Sequence, residues 1–378
     1  MNIAFFTDTF IPQVNGVANT VYRSAKSLSD LGHNICVYTI SKNSEEELNA
    51  LEQITGTNIK VYTLPSIDSH IYKGERLSIP LGLSIKDIRR FKADIIHTHT
   101  PFSAGWEAVI CAKRLKILLV GTHHTFFNHY LKYVHMDYKW VEKFSWTYTV
   151  GYYNRCNIVL SPTQSLADGL RDNKLKKEID IMPNPVDVEK YCPAIKEGAH
   201  EKTLLYMGRV SYEKSIDQVI KAAHIVKNTI PNIKLIIVGD GPEKENLIKL
   251  SNDLGLQDNI VFTGFIYGDN LIRTLQSGDI FLSGSKSENM PLAVLESMAI
   301  GLPILSVSSL GMVEIVKDNE NGFLLSPDNP DEMAEKILYL LNDEQKLKAF
   351  SEKSRELSLS YSDTEYAKKL IEIYKKLI

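Results

Sequence analysis

The sequence predicts an α/β protein made of two doubly wound parallel-sheet domains, and three observations carry that reading. Short apolar runs of strand length alternate with longer amphipathic stretches along the whole chain, the pattern of strand–helix–strand units. The alternation pauses at Met182-Pro-Asn-Pro-Val-Asp-Val-Glu-Lys-Tyr-Cys-Pro193, where three prolines suit an interdomain connector, and then restarts. The length, 378 residues, is also more than one hydrophobic core usually serves.

In the first half the predicted strands are residues 2–7, 34–40, 60–64, 94–99, 117–121, 158–161 and 179–182. In the second they are residues 203–207, 234–238, 259–262, 279–282 and 304–307. Each is a β-branched or aromatic run bounded by turn residues. The final stretch from Tyr366 to Ile378 has Ala367, Leu370, Ile371, Tyr374 and Leu377 at helical spacing. Two domains of this kind bind ligands beyond the carboxyl ends of their strands.

Composition narrows the function classes. The chain is 44% hydrophobic and 24% charged, with a formal net charge of −3, an ordinary water-soluble balance. The excess of basic residues in the first half is small, which argues against nucleic acid as a partner. No apolar run reaches bilayer-spanning length. The apolar start Ile3-Ala-Phe-Phe6 is too short for a secretory leader. Cys36, Cys111, Cys156 and Cys192 lack any metal or redox spacing, so free thiols in a reducing cytoplasm are expected.

The most informative segment is Ser285-Lys-Ser-Glu288-Asn-Met-Pro-Leu-Ala-Val-Leu-Glu296, after a predicted strand and ahead of Gly301 and Pro303. Pro291 suits the first turn of a helix and Gly301 its end. Glu288 then lies just before a helix N-terminus and Glu296 in its second turn. Free amides and the positive end of the helix dipole favour a phosphate there. Carboxylates on either side accept hydrogen bonds from sugar hydroxyls. The combination describes a nucleotide-sugar. Gly208-Arg209-Val-Ser-Tyr-Glu-Lys214, after the first strand of the second half, supplies two cations for a leaving diphosphate. Gly16 opens the first predicted helix and lets backbone approach a phosphate or sugar closely. Asp-x-Asp, a frequent metal–diphosphate clamp, is absent from the sequence. Arg209, Lys214 and a helix terminus therefore make a metal-independent reaction the expectation, with no cofactor beyond the donor.

These segments resemble the retaining glycosyltransferases of family 4, whose fold is termed GT-B. Glu288 and Glu296 match the family's Glu-x7-Glu signature, and Gly208-Arg209 with Glu213-Lys214 its Gly-Arg…Glu-Lys element. The resemblance implies that Glu288 contacts the donor sugar, Glu296 the ribose, and Arg209 and Lys214 the pyrophosphate. The family's Phe-Gly after the first Glu is Met290-Pro291 here, so the amides of Met290 and Leu292 would meet the phosphate. The opening Phe6–Val17, the Ile95-Ile-His97-Thr-His99-Thr-Pro101 run and Val120-Gly-Thr-His-His124-Thr125 are most similar to diacylglycerol glucosyltransferases and phosphatidylinositol mannosyltransferases. The resemblance implies that His124 is the active-site histidine. It also implies that the terminal helix packs back on the first domain. The expected division is therefore residues 1–190 with about 360–378, and residues 191–359.

Read from the residues alone, His97, His99, His123 and His124 admit a zinc site, buried structural histidines or an active-site group. Eleven aromatic residues fall within residues 126–153, among them Phe126 and Tyr130, and Lys86, Arg89 and Arg90 share one helical face. Aromatic core beside a solvated basic face is one reading. The other is a surface that holds the enzyme on anionic lipid at the inner face of the cell membrane. The activity expected is transfer of a hexose, with UDP-hexose favoured over GDP-mannose as donor, to a glycerolipid such as diacylglycerol. A polysaccharide or polyprenyl-linked glycan is the alternative acceptor, and non-catalytic nucleotide-sugar binding the alternative class.

Overall fold

The computed structural model describes residues 1–13, 15–40, 58–68, 76–125, 139–194 and 201–378. They form two compact units, Met1–Pro185 with Asp363–Ile378, and Val186–Ser362.

The first unit holds β1 (Asn2–Thr7), α1 (Gly16–Asp30), β2 (Asn34–Ile40), β3 (Ile59–Leu64), β4 (Ser66–Asp68), β5 (Arg76–Ser78), α2 (Ile85–Phe91), β6 (Ile95–Thr98) and α3 (Ser103–Leu115). It continues with β7 (Leu118–Thr122), α4 (Lys139–Tyr153), β8 (Ile158–Ser161), α5 (Gln164–Asp172) and β9 (Ile179–Ile181). Seven strands make a parallel sheet in the order β3-β2-β1-β6-β7-β8-β9, and β4 and β5 form a separate antiparallel pair. The strands read as nearly continuous apolar runs because helices cover both sheet faces. One face packs β1, β2 and α1 around Phe5, Leu28 and Ile35; the other packs Phe6, Tyr38 and Tyr152.

The second unit holds β10 (Thr203–Met207), a 3₁₀ turn Tyr212–Lys214, α6 (Ile216–Lys227), β11 (Lys234–Val238), α7 (Lys244–Asp253), β12 (Ile260–Gly264), α8 (Gly268–Ser277) and β13 (Ile280–Ser283). After these come α9 (Leu292–Ile300), β14 (Ile304–Val307), α10 (Met312–Ile315), β15 (Gly322–Leu325), α11 (Pro330–Leu341) and α12 (Glu344–Leu359). Its parallel sheet runs β12-β11-β10-β13-β14-β15. The terminal helix α13 (Asp363–Leu377) belongs to the first unit, where Tyr366, Leu370, Ile373 and Tyr374 enter the core beside α1.

Both sheets have the order of a doubly wound fold, with the switch point beside the first strand of each. They also share a local device. Asp94 accepts the Asn2 amide at 2.7 Å, and Asp279 accepts the Thr203 amide at 2.7 Å. In each unit an acid preceding the neighbouring strand thus satisfies the amide at the start of the central strand. The neighbouring strands β6 and β13 start one residue later than the apolar pattern predicts, just after these acids.

Candidate functional site

In the second unit the residues singled out by their spacing converge on two loops. The Lys214 ammonium donates to Glu288 at 2.5 Å, and both side chains are largely withdrawn from solvent. Close backbone packing builds this contact. A Cβ on Gly284 would lie 2.4 Å from the Ser215 carbonyl oxygen, so only glycine lets the end of β13 reach the Lys214–Ser215 turn. Gly311 donates its amide to the Glu288 carbonyl, and a Cβ there would overlap the Asn289 carbonyl at 1.3 Å. The loop carrying Glu288 is therefore clamped from both sides.

Pro291 is the N-cap of α9 with extended ψ of 128°, one position earlier than the first turn in which its φ suggests it should sit. Among the described residues, Leu292 and Ala293 donate to no backbone carbonyl. Their amides are the unsatisfied helix-terminal donors that favour an anion. Met290 and Leu292 are buried by side chain, and Glu296 is half-buried on the second turn.

Arg209 sits at the apex of the loop after β10. Tyr206 donates its hydroxyl to the Arg209 carbonyl at 3.1 Å, and Val210 donates its amide to Asp240. Gly239 and Gly241 lie so close to this loop that a Cβ would approach the carbonyl oxygens of Gly208 and Val210 at 2.0 and 2.2 Å. The Arg209 side chain is exposed and forms no ion pair among the described residues. A fixed backbone thus presents a free guanidinium, while Lys214 is paired with Glu288.

In the first unit, Asn15 caps α1 by accepting the Ala18 amide at 2.8 Å, and Gly16 follows. A Cβ on Gly16 would meet nothing within 4 Å, so packing within the described fold does not require glycine there. The histidines form one row at the carboxyl ends of β6 and β7. His97 bonds Tyr374 of α13 through Nδ1 at 2.6 Å and Thr122 through Nε2 at 2.7 Å. His99 stacks on His97 at 4.2 Å, and its Nδ1 lies 3.2 Å from Nε2 of His124. His123 is buried against Tyr153. Burial pushes His97 and His123 down to about 3 and His124 down to about 4, and holds His99 well below the usual imidazole range. The whole row is neutral at physiological pH. With both ring nitrogens of His97 engaged, that residue has none left for a metal.

Two residues that no sequence motif marks also shape this unit. Asp8, beyond β1, accepts the Ser103 hydroxyl at 2.8 Å, the Ala104 amide at 2.9 Å and the Thr100 hydroxyl. It caps α3 from a loop more than ninety residues away, and burial raises its carboxyl despite those bonds. Glu107 of α3 is buried and accepts the amides of Gly82 at 2.7 Å and Ser84 at 2.9 Å. It thereby fixes the loop that leads into α2.

That loop bears on the surface question. Leu81 and Leu83 are 61% and 53% exposed, beside exposed Ile67, Leu77 and Ile79. Lys86, Arg89 and Arg90 of α2 are exposed next to them. Of the aromatic cluster, Tyr152 and Tyr153 are core residues, whereas Trp140 and Phe144 of α4 are exposed. Phe126 and Tyr130 lie outside the described residues. Among the described residues no helix is long and apolar enough to cross a membrane.

A helix terminus with open amides, a lysine–glutamate pair and an exposed arginine lie at strand ends, an arrangement that suits a glycosyltransferase, the class to which the comparisons point. The family model described as Glycosyltransferase Family 4 matches residues 14–190, and that described as Glycosyl transferases group 1 matches residues 187–357. Alpha-monoglucosyldiacylglycerol synthase from Streptococcus pneumoniae is 30% identical, covering 86% of this chain and 75% of the relative. The protein of the same name from Acholeplasma laidlawii is 26% identical, covering 100% of this chain and 98% of the relative. Among solved structures, Anabaena HepE in complex with UDP superposes with a TM-score of 0.80 at 19% identity, covering 100% of both chains. Sucrose-phosphate synthase from Thermosynechococcus elongatus gives a TM-score of 0.76 at 17% identity, covering 100% of this chain and 98% of that one. The chain belongs to glycosyltransferase family 4 and is a glycosyltransferase with the GT-B fold.

Proposed function

We propose that this enzyme transfers a hexose, with retention of anomeric configuration and without a metal ion, from a UDP-hexose to a membrane glycerolipid of the diacylglycerol class. The observation that carries the donor half is the Lys214–Glu288 contact at 2.5 Å beside the free amides that open α9. The leaving diphosphate develops negative charge as the sugar–oxygen bond breaks. Arg209, Lys214 and the helix amides are positioned for that charge before reaction, so they need little rearrangement during it. Glu288 accepts hydrogen bonds from the sugar hydroxyls once the diphosphate draws Lys214 toward itself. His124 is uncharged, and so serves as a hydrogen-bonding group toward the transferring sugar and not as a counter-ion. In a front-face reaction the acceptor hydroxyl forms the new C1–O bond on the side the diphosphate leaves. Its proton passes to a departing phosphate oxygen. UDP in the HepE complex and the diacylglycerol names of the two relatives support the choice of donor and acceptor.

The lipid half of the reading draws on the exposed apolar loop beside the basic helix α2. Leu81 and Leu83 project from a backbone that Glu107 holds, so apolar side chains enter a bilayer while Lys86, Arg89 and Arg90 meet anionic headgroups. On this reading the enzyme works at the cytoplasmic face of the cell membrane, and the exposed leucines beside basic α2 support it. The test is nucleoside-diphosphate release from a donor panel in EDTA, with and without diacylglycerol in anionic vesicles. The expected result is UDP release from one UDP-hexose that rises with the lipid. Glu288→Gln, Lys214→Ala and Arg209→Ala should each lower it on the order of 100-fold while the melting curve is retained. Donor consumption that ignores lipid but responds to a glycan would replace the acceptor, and no release from any donor would overturn the reading.

A further inference from the structure

We propose that His99 is a positioning residue that fixes His124 in its Nδ1–H tautomer, so that His124 offers a hydrogen-bond donor at its outward nitrogen. The inference rests on the reading of His124 as the active-site histidine and goes beyond it in assigning a proton.

The contact between His99 Nδ1 and His124 Nε2, at 3.2 Å, allows two arrangements. In one, His99 donates from Nδ1, and His124 accepts at Nε2 and carries its own proton on Nδ1. In the other, His124 donates from Nε2, and the His99 proton moves to Nε2. The second nitrogen of His99 decides between them. His99 Nε2 is buried and has no hydrogen-bond partner among the described residues. The second arrangement would therefore bury an N–H with nothing to receive it. The first leaves only an unused lone pair. Orphaned buried donors are the rarer and costlier case, so the first arrangement is favoured. Both rings are neutral, which each arrangement requires.

The surroundings hold His99 in place. Its backbone amide donates to the Phe6 carbonyl at 2.9 Å, and Phe5 packs edge-on against its ring at 4.7 Å. Its other face stacks on His97, which is pinned by Tyr374 and Thr122. The terminal helix α13, through Tyr374, thus supports a row that ends at His124. His124 Nδ1 makes no hydrogen bond among the described residues, and His124 is half-buried, whereas His99 is enclosed. The outward nitrogen is the one left for a ligand. The hydrogen bond on one imidazole nitrogen sets what the other can do, so His99 decides whether that ligand meets a donor or an acceptor.

The test is a long-range proton–nitrogen correlation spectrum of histidine-labelled protein at neutral pH, with the His124 signals assigned by their loss in His124→Gln. The expected result is a protonated Nδ1 and a bare Nε2 on His124. A proton on Nε2 in the unsubstituted enzyme would overturn the proposal without any variant having to fold. Two substitutions carry it to turnover. Asparagine places an amide N–H where Nδ1 of His99 sits, whereas glutamine places it near Nε2. His99→Asn should keep the His124 tautomer and stay within about threefold of the parent kcat, while His99→Gln should lose on the order of 10–100-fold with a smaller change in donor KM. Equal losses in both, at equal melting temperatures, would reduce His99 to a packing residue and overturn the proposal. A protonated Nδ1 in an enzyme that turns over no donor would support the positioning and sink the transferase reading instead.

Discussion

His124 is an imidazole whose environment keeps it uncharged, and this has a consequence that can be read against pH. Its folded value is pushed down to about 4, below the roughly 6.5 of an exposed histidine. The unfolded chain therefore binds more protons between those values. Folding stability is fully present above about pH 6.5 and is lost progressively as pH falls toward 4. His97, His99 and His123 shift in the same direction, so their losses add. The expected melting temperature is level from pH 7 to 8 and drops steeply below pH 6. Donor turnover, corrected for unfolded enzyme, should pass through pH 6.5 without a titration and fall only below about pH 5. A midpoint near 6.5 in that profile would mean that His124 is not the neutral group described. The sequence made Lys214 and Glu288 legible as separate candidate site residues, because strand–loop–helix punctuation places both at loop tips, but not their contact with each other. Asp8 was not legible: its partners Thr100, Ser103 and Ala104 come from another loop, and an acid between two threonines reads as ordinary turn.

The elements were legible to within a residue or two wherever an apolar run was bounded by turn residues. They were not where pairing is short. β15 has four residues and no alternation, and β4 and β5 have three each; such strands are defined by their neighbours, not by their own pattern. The loop between β5 and α2 shows the same limit, since its exposed leucines count as core in any composition. Their exposure follows from Glu107 holding the backbone of Gly82 and Ser84 to α3. For α2 and this loop the expected behaviour is lipid-dependent. Each basic residue near an anionic surface contributes about 1 kcal/mol. Replacing Lys86, Arg89 and Arg90 by alanine should therefore weaken binding to anionic vesicles about 100-fold and make the remainder insensitive to salt. Leu81→Ser with Leu83→Ser should weaken binding at every salt concentration. Flotation of these variants with anionic and zwitterionic vesicles separates the two contributions, and unchanged flotation in all of them would remove this face from the membrane reading.

At the scale of the whole molecule, the chain starts in one unit, builds the second, and returns to the first with α13. Tyr366, Leu370, Ile371, Ile373 and Tyr374 are buried in the first core, and Lys369 donates to the Ile181 carbonyl at 2.6 Å. Arg23 of α1 faces Asp363 at 3.8 Å at the start of the same helix. Burial of each large apolar side chain is worth about 1.5–3 kcal/mol, and a domain's net stability is about 5–15 kcal/mol. Ending the chain after Ser362 should therefore unfold the first unit, although every residue of its sheet remains. The second unit keeps all of its own core, with Val186 still hydrogen-bonded to Tyr361 at 2.8 Å. The shortened protein is expected to lose vesicle-dependent turnover and to yield a protease-resistant fragment beginning near Val186. That fragment should retain a cooperative melting transition and the tryptophan-free spectrum of residues 186–362, since Trp106, Trp140 and Trp146 all lie in the first unit. Co-expressed residues 363–378 should restore the first unit in proportion to their concentration. Full-length stability of both units after truncation would mean that α13 merely covers a core able to close without it.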